Sequence, residues 1–454
     1  MSDTRVTQPE TKARVVSSAK WILTLLFIGN LLNFYDRAIP SVVLEQIKAD
    51  FRLDDVQVGI LASAFVLFGA IAGIPLGWLA DKIARKQVAG WGLLVWSAFT
   101  ALGGLLTNFW AFFGTRVGVG IGEASYTPAT GSLISDLYPS EKRARANSLF
   151  LLGFPIGTLL AFFTVGGIAV AFDSWRAPFL IAAVPGVIVA ILILLIKEPR
   201  RGAAEPDRLD ALGAPAAATD RPAKSRAFAG LFRVGSLWGL VLAYAGYNFA
   251  AYAIGTFLTP VLQRYYGLEL IPAALLGGVV IGITGLLGLI FGGRVLDRAA
   301  KSSPSRRVLI ASISLVGAAV FSLVGLAAAQ QNLWQLVVFL GIGYLLGIVY
   351  LAASLPAVSD VIGPRQRSTA LGVVFAIGLL IGGAGGPIAV GAVSDSLATS
   401  AASSMSSDAA IAQGLQGAMM IMVPIAFVVA AIGMFIATRF MTRDHEAMLA
   451  REAA

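Results

Sequence analysis

The sequence predicts an all-α integral membrane protein with twelve transmembrane helices in two pseudo-symmetric six-helix bundles. Three observations predict it: an apolar, charge-poor composition, twelve apolar runs of spanning length, and motifs that recur at matching places in the two halves. Of 454 residues, 57% are hydrophobic and 13% charged, where a soluble domain carries about 25% charge. Mean hydropathy is +0.80. A spanning helix takes about 20 apolar residues, so a dozen of them leave little chain for a soluble catalytic domain.

The apolar runs fall at about 21–44, 56–80, 88–106, 109–134, 146–172, 176–196, 235–262, 272–293, 307–329, 333–357, 369–393 and 411–438. The longest polar interruption, Lys197 to Arg233, is rich in Ala, Pro and charge and follows the sixth run; such composition reads as a linker. The expected division is a tail at 1–20, a bundle at 21–196, a linker at 197–234, a second bundle at 235–438 and a tail at 439–454. Met1 to Lys20 is polar and precedes a full-length span, so no secretory signal peptide is expected.

Basic residues are retained on the cytoplasmic side of a membrane. The first tail holds four Lys and Arg, the even-numbered connections three, three, eight, five and two, and the last tail three, together 28 of the chain's 34. The opposite side holds Lys48, Arg52, Arg176 and Arg264, while Arg37 and Arg116 lie inside spans. Both termini are therefore expected in the cytoplasm, as for a multi-pass plasma-membrane protein (inner membrane in a bacterium). The net charge of +9 is dispersed between apolar segments rather than gathered in one patch, which excludes a nucleic-acid partner. With no cysteine there are no disulfides or thiolate metal sites.

The halves echo each other. Gly77-Trp-Leu-Ala-Asp81-Lys82-Ile-Ala-Arg85-Lys86 follows the second run, and Gly293-Arg-Val-Leu-Asp297-Arg298-Ala-Ala-Lys301 follows the eighth. Ser135-Asp136, Pro139, Arg143 and Ala146 after the fourth run match Ser359-Asp360, Pro364, Arg367 and Ala370 after the tenth. Duplication of this kind places a site between halves that alternate in access.

The Gly77 to Lys86 stretch resembles the signature loop of the major facilitator superfamily, with Ala84 where glycine is usual. Asn33-Phe-Tyr-Asp36-Arg37, Thr115 to Tyr126 with its Glu123-Ala124-Ser125-Tyr126 run, and Ser148-Leu-Phe with Pro155 are similar to the spinster branch of that superfamily, over most of the first half. The resemblance implies a secondary transporter working by alternating access on an amphipathic, lipid-like substrate of the sphingolipid or lysolipid type. It also implies that Gly77, Asp81, Lys82, Arg85 and Lys86, with Asp297 and Arg298 in the second half, form a conformational switch. Their alternative reading is simple retention of basic residues on one side, with Lys82, Arg85 and Lys86 near anionic lipid headgroups. Organic-anion/proton symporters share the Asn33 to Arg37 element, and either such a symporter or a drug exporter is the second reading.

Asp36 and Arg37 lie about 16 residues into the first span, roughly 24 Å deep at 1.5 Å per residue. Charges that deep face a cavity or a partner, so the pair is either functional or a buried clamp. Arg116 and Glu123 are seven residues apart and share one helix face. Glu123, farther along from Arg116 and nearer the midplane, is expected to carry the proton, its alternative readings being a structural ion pair or a direct substrate contact, with Asp36 second and held ionised by the neighbouring guanidinium groups. Arg37 and Arg116 are expected to meet the substrate head. Tyr244, Tyr247, Asn248 and Tyr252 form a stripe at helical spacing; it either lines the cavity or packs between helices. Phe154 either extends an apolar wall or belongs to the core. Gly69, Gly73 and Gly77, Gly278 and Gly282, and Gly288 and Gly292 form small-residue rows that let helices approach. Gly378 to Pro387 is a breakable segment suited to gating.

An enzyme lacks support: there is no cysteine, the single histidine, His445, is read as a solvated tail residue, and no Gly-x-x-x-x-Gly-Lys-(Ser/Thr) loop occurs. No cofactor and no metal are expected. The expected partners are membrane lipids, the amphipathic substrate and protons, with the chain monomeric. The topology is checked by cysteines introduced at Ser225 and Ser404, which should react with an impermeant reagent from opposite sides of the membrane. Labelling of both from outside intact cells would refute the arrangement.

Overall fold

The computed structural model describes residues 10–199, 234–300, 303–363 and 366–453. Among these residues every regular element is helical. Most of the expected linker lies outside them, and so do the side chains of Asp81, Asp297 and Arg367.

In the first half, α1 (Glu10–Val42) and the short α2 (Leu44–Phe51) precede α3 (Asp55–Lys82). Arg52 ends α2 in the left-handed region at φ 55°, and Asp54 starts α3 with a capping box, accepting from the Gln57 N–H at 2.7 Å. Then come α4 (Arg85–Gly103), α5 (Phe109–Ala124), α6 (Tyr126–Leu137), α7 (Ser140–Leu151), α8 (Gly153–Ala171) and α9 (Ala177–Leu195).

The second half begins with α10 (Gly235–Arg264). It continues with α11 (Leu270–Gly278), joined through a π-helical turn at Val279–Ile283 to α12 (Thr284–Ala300), and with α13 (Pro304–Leu326) and α14 (Leu333–Val361). The last elements are α15 (Arg367–Gly378), joined through a π-helical turn at Leu379–Ala384 to α16 (Gly385–Ala401), and α17 (Ser407–Ala453). The second π turn falls inside the glycine-rich segment singled out for gating, and π turns often mark functional positions.

Each expected apolar run coincides with a helix or a continuous helical pair. Ten described segments are long and apolar enough to cross a membrane. The runs at 88–106 and 109–134 fall short of that for visible reasons. Helix α4 opens on Arg85, Lys86 and Gln87, and Ser125 separates α5 from α6 so that neither piece is long enough.

The echoed motifs have one structural meaning. Arg85, 2% exposed, donates to Asp136 at the end of α6, to Ser132 at 3.2 Å, and through Nε to Glu198 at 3.0 Å. In the second half Arg307, near the start of α13, pairs with Asp360 at the end of α14. In each half the Asp of the repeated Ser-Asp thus pairs with an arginine on the other arm of its own helical hairpin. These pairs lie within each half rather than across the two. Lys82 stacks on Trp78 at 3.4 Å from the ring centroid. Gly77 and Gly73 have open space beside them, whereas Gly69 packs against Gly120, Gly278 and Gly282 against α8, and Gly288 and Gly292 against α14.

The reading of His445 as a solvated tail residue is corrected. Helix α17 runs on to Ala453 and folds the tail against its own half: His445 Nδ1 lies 2.5 Å from the Asp360 carbonyl, Asp444 accepts from the Ser236 N–H and hydroxyl at 2.9 Å, and Met441 is fully buried. Composition marked the segment as polar but could not show that the helix continues.

Removing one partner of a buried charge network leaves the others unpaired at a cost of about 3–5 kcal/mol. Arg85→Ala should therefore lower the melting temperature of the detergent-solubilised protein by several degrees. Arg85→Lys should restore only part of it, since an ammonium lacks the planar fork that reaches two carboxylates. Equal melting of Arg85→Ala and wild type would show the network to be incidental.

Candidate functional site

Helix α1 carries the charge-rich turn, and its geometry separates two neighbours. Successive helical residues point about 100° apart, so Asp36 and Arg37 diverge. Asp36, 1% exposed, turns toward α4, where the Thr100 hydroxyl lies 3.4 Å from Oδ2. Arg37 turns to α5 and donates from Nε to Glu123 at 2.6 Å. The Glu123 side chain is 2% exposed and that of Arg37 is 30% exposed. Asn33, one turn before Arg37, lies beside Glu123.

Arg116 sits two turns from Glu123 on α5, buried between the Phe112 and Phe179 rings at 5.3 and 5.1 Å. Its charge interacts most with Asp36 and next with Glu123, but no ion pair closes between them among the described residues. Asp36 Oδ1, Glu123 Oε1 and Arg116 Nε and Nη2 are all buried without a hydrogen-bond partner. Such atoms are rare in folded proteins, and here they belong to groups of both signs.

Aromatic rings wall the exposed side of Arg37. Its guanidinium stands 4.9 Å from the Phe34 ring centroid and 5.5 Å from that of Phe65, and Phe34 in turn contacts Phe154 at 4.6 Å. From the second half Tyr252 lies 6.2 Å from Phe65 and interacts electrostatically with Arg37 and Glu123. The structure therefore brings together Asp36, Arg37, Arg116, Glu123, Phe154 and Tyr252. Tyr244 instead packs on Phe375 at 5.0 Å, Tyr247 is buried on Tyr350 at 5.2 Å, and the Asn248 amide donates to the Tyr244 carbonyl at 2.8 Å. Spacing showed that these four share a face of α10 but not which neighbour that face meets. Phe34 and Phe65 were not anticipated, as single aromatics in apolar runs carry no distinguishing signal.

A second charged cluster joins the halves on the face that carries α2. Arg264 of α10 holds Glu45 through two bonds at 2.7 and 2.8 Å and Asp55 through two at 2.9 Å. Asp55 also accepts from Lys48 at 2.6 Å and from Ser394 of α16 at 2.7 Å. Below it α3 and α16 touch backbone to backbone: a Cβ on Gly59 would lie 2.4 Å from the Pro387 carbonyl, and one on Gly391 would lie 2.2 Å from that of Asp55. Ser63 donates to the carbonyl of Ala384, at the end of the π turn, at 2.6 Å. Helix α8 meets α11 and its π turn, and α1 and α2 meet α10. Packing between the halves is thus concentrated toward the α2 face. Lys48 and Arg264 had entered the sequence reading only as topology markers, and Glu45 and Asp55 not at all. The available signal was ionisable residues at the ends of three different helices.

Residues 26–387 match the Major Facilitator Superfamily. The chain is 30% identical over 424 residues to an "MFS-type efflux pump" of Mycolicibacterium smegmatis, covering 92% of each chain. It is 28% identical to the "Sphingosine-1-phosphate transporter SPNS2" of Danio rerio, over 84% of this chain and 77% of that one. A crystal structure of a bacterial homolog to the human lysosomal transporter Spinster, inward-facing and unoccupied, superposes with a TM-score of 0.83 at 26% identity, over 94% of this chain and 98% of that one.

The Arg37–Glu123 pair has a measurable signature. Arg37→Ala leaves a buried carboxylate without its cation, and with Arg37 partly exposed the expected loss is about 1–3 kcal/mol. Adding Glu123→Gln should recover most of the lost melting temperature. Additive losses in the double variant would mean that the two residues do not act as a pair.

Proposed function

The chain belongs to the Major Facilitator Superfamily and to its spinster-like branch, and from that premise we propose a proton-coupled transporter of amphipathic, lipid-like molecules. The observation that carries this reading is Arg37. It is a cation at the junction of the two halves, bound on one side by Glu123, flanked by Phe34, Phe65 and Tyr252, and open on the other side. A polar or anionic head fits the guanidinium, and a hydrocarbon tail fits the Phe34, Phe65 and Phe154 wall. Arg116 serves as a fixed counter-charge, since its side chain is enclosed by rings. Tyr252 closes the site from the second half. Tyr244, Tyr247 and Asn248 support α10 from behind it.

Coupling follows from competition for Arg37. An anionic head that takes the guanidinium leaves Glu123 buried without its partner, a state that protonation relieves. Head binding and proton binding then reinforce each other. Asp36, with Thr100 as its hydrogen-bond donor, is the second candidate for the proton.

The excess of Lys and Arg in the connections opposite α2 supports placing that side, with both termini, in the cytoplasm. The cluster at Arg264 is then a closed external gate, and the conformation is inward-facing. Alternating access requires this gate to open as the cytoplasmic ends of the halves come together. Gly77, Lys82, Arg85 and Lys86, with Asp81, Asp297 and Arg298, are proposed to act at that cytoplasmic closure. Export of drug-like or organic-anion compounds is a second reading, favoured by the relative described as an efflux pump.

The test is uptake of a fluorescent lysophospholipid by proteoliposomes under an imposed pH gradient. Wild type should concentrate the probe, and Glu123→Gln should lose uphill transport while keeping exchange. If Glu123→Gln concentrates the probe as wild type does, Glu123 is not the coupling residue and Asp36→Asn becomes the decisive variant. If wild type ignores lysophospholipid but concentrates an organic anion, the lipid assignment is wrong.

A further inference from the structure

A carboxylate of the second half completes the first turn of a helix in the first half. We propose that Asp395 of α16 is a second proton-binding site, one that latches the α2 face shut and releases it when that side is acidified. The inference rests on the alternating-access reading, in which that face is a gate.

The first N–H groups of a helix have no partner inside it. In α3 the Gln57 N–H goes to Asp54 of the same chain segment, but the Asp55 N–H goes to Asp395 Oδ1 at 3.2 Å and the Val56 N–H to Asp395 Oδ2 at 2.9 Å. Both oxygens of Asp395 are therefore used across the junction between halves. A carboxylate there is favoured by the positive end of the helix as well as by the two hydrogen bonds. Protonation removes the charge and converts one acceptor oxygen into a hydroxyl facing an N–H, so the cap loses its charge and one of its two hydrogen bonds at once.

The surrounding charges single out Asp395 as the labile member. Asp55 receives Lys48, two bonds from Arg264 and the Ser394 hydroxyl, and Glu45 receives two bonds from Arg264. Asp54 is a capping residue with the Gln57 amide. Asp395, by contrast, forms no ion pair with any described Lys or Arg, and it faces the negative charges of Asp54 and Asp55. It is half-buried, so water reaches it. Of the four carboxylates Glu45, Asp54, Asp55 and Asp395, it is the one whose charge is held across the gate by backbone amides alone. Loss of that cap loosens α16 from α3 where their backbones touch at Gly391 and Asp55.

The experiment uses the full chain, which is free of cysteine. Spin labels at Thr107→Cys and Ser404→Cys, both exposed on the α2 face, report its opening in nanodiscs, and labels at Lys142→Cys and Arg306→Cys report the opposite face. Wild type should show a short distance across the α2 face at pH 8 and a growing long component at pH 5. Asp395→Asn, which mimics the protonated side chain, should show the long component at both pH values, with the open-to-closed ratio at pH 8 raised about two- to thirty-fold. Asp395→Glu, Glu45→Gln and Glu123→Gln should keep the pH response. The inference is overturned if Asp395→Asn responds to pH as wild type does. It is also overturned if the response disappears in Glu123→Gln but persists in Asp395→Asn, a result that leaves proton coupling at the central site standing. Should Asp395→Asn fail to fold, Asp395→Glu decides, because loss of the pH response in a variant that still carries a carboxylate contradicts the latch.

Discussion

The closure of one face depends on Asp55. Its carboxylate is satisfied by three side chains from both halves, its carbonyl lies against Gly391, and its N–H is held by Asp395. Charges at the edge of a membrane lose much of their hydration, and a carboxylate there needs every oxygen bonded. The cluster meets that need only when the two halves are together. Arg264, saturated by Glu45 and Asp55, is the cation that allows it. The small residues beneath, Gly59 and Gly391, let the two backbones approach closely enough for these short side chains to reach.

The central site obeys a different constraint. Four ionisable groups lie within the spans, three of them buried and Arg37 partly exposed, yet a single ion pair, Arg37 with Glu123, forms within hydrogen-bond distance. Asp36 and Arg116 are neighbours in charge rather than in contact. A set that is neutral in sum but unpaired in detail can change partners at modest cost. A fully paired set would be rigid, as it is at Arg85 with Asp136 and Glu198. The protein uses both kinds of arrangement, paired sets around Arg85 and in the Arg264 cluster that joins the halves, and the unpaired set at the central site.

The repeated motifs tie each half together internally. Arg85–Asp136 and Arg307–Asp360 tie the two arms of the corresponding hairpin in each half, and the second half adds Asp444 on Ser236 and His445 on the Asp360 carbonyl. These ties lie at the face where contact between the halves is sparse.

The sequence by itself determined the helical membrane fold, the division into two related halves and the depth of Asp36, Arg37, Arg116 and Glu123. Apolar runs have a length set by the bilayer, and charge inside them is too costly to occur by chance. It also marked Glu123 and Arg37 as members of one site through their motifs. The tertiary structure alone decided the partnerships. Asp36 and Arg37 are adjacent in sequence and diverge because a helix turns about 100° per residue. Tyr252 reaches the site while Tyr247, five residues earlier, does not. Asp55, Arg264 and Asp395 come from three distant helices, and no local spacing links them. Register between helices is set by close packing over the whole bundle, which a linear pattern of residues does not encode.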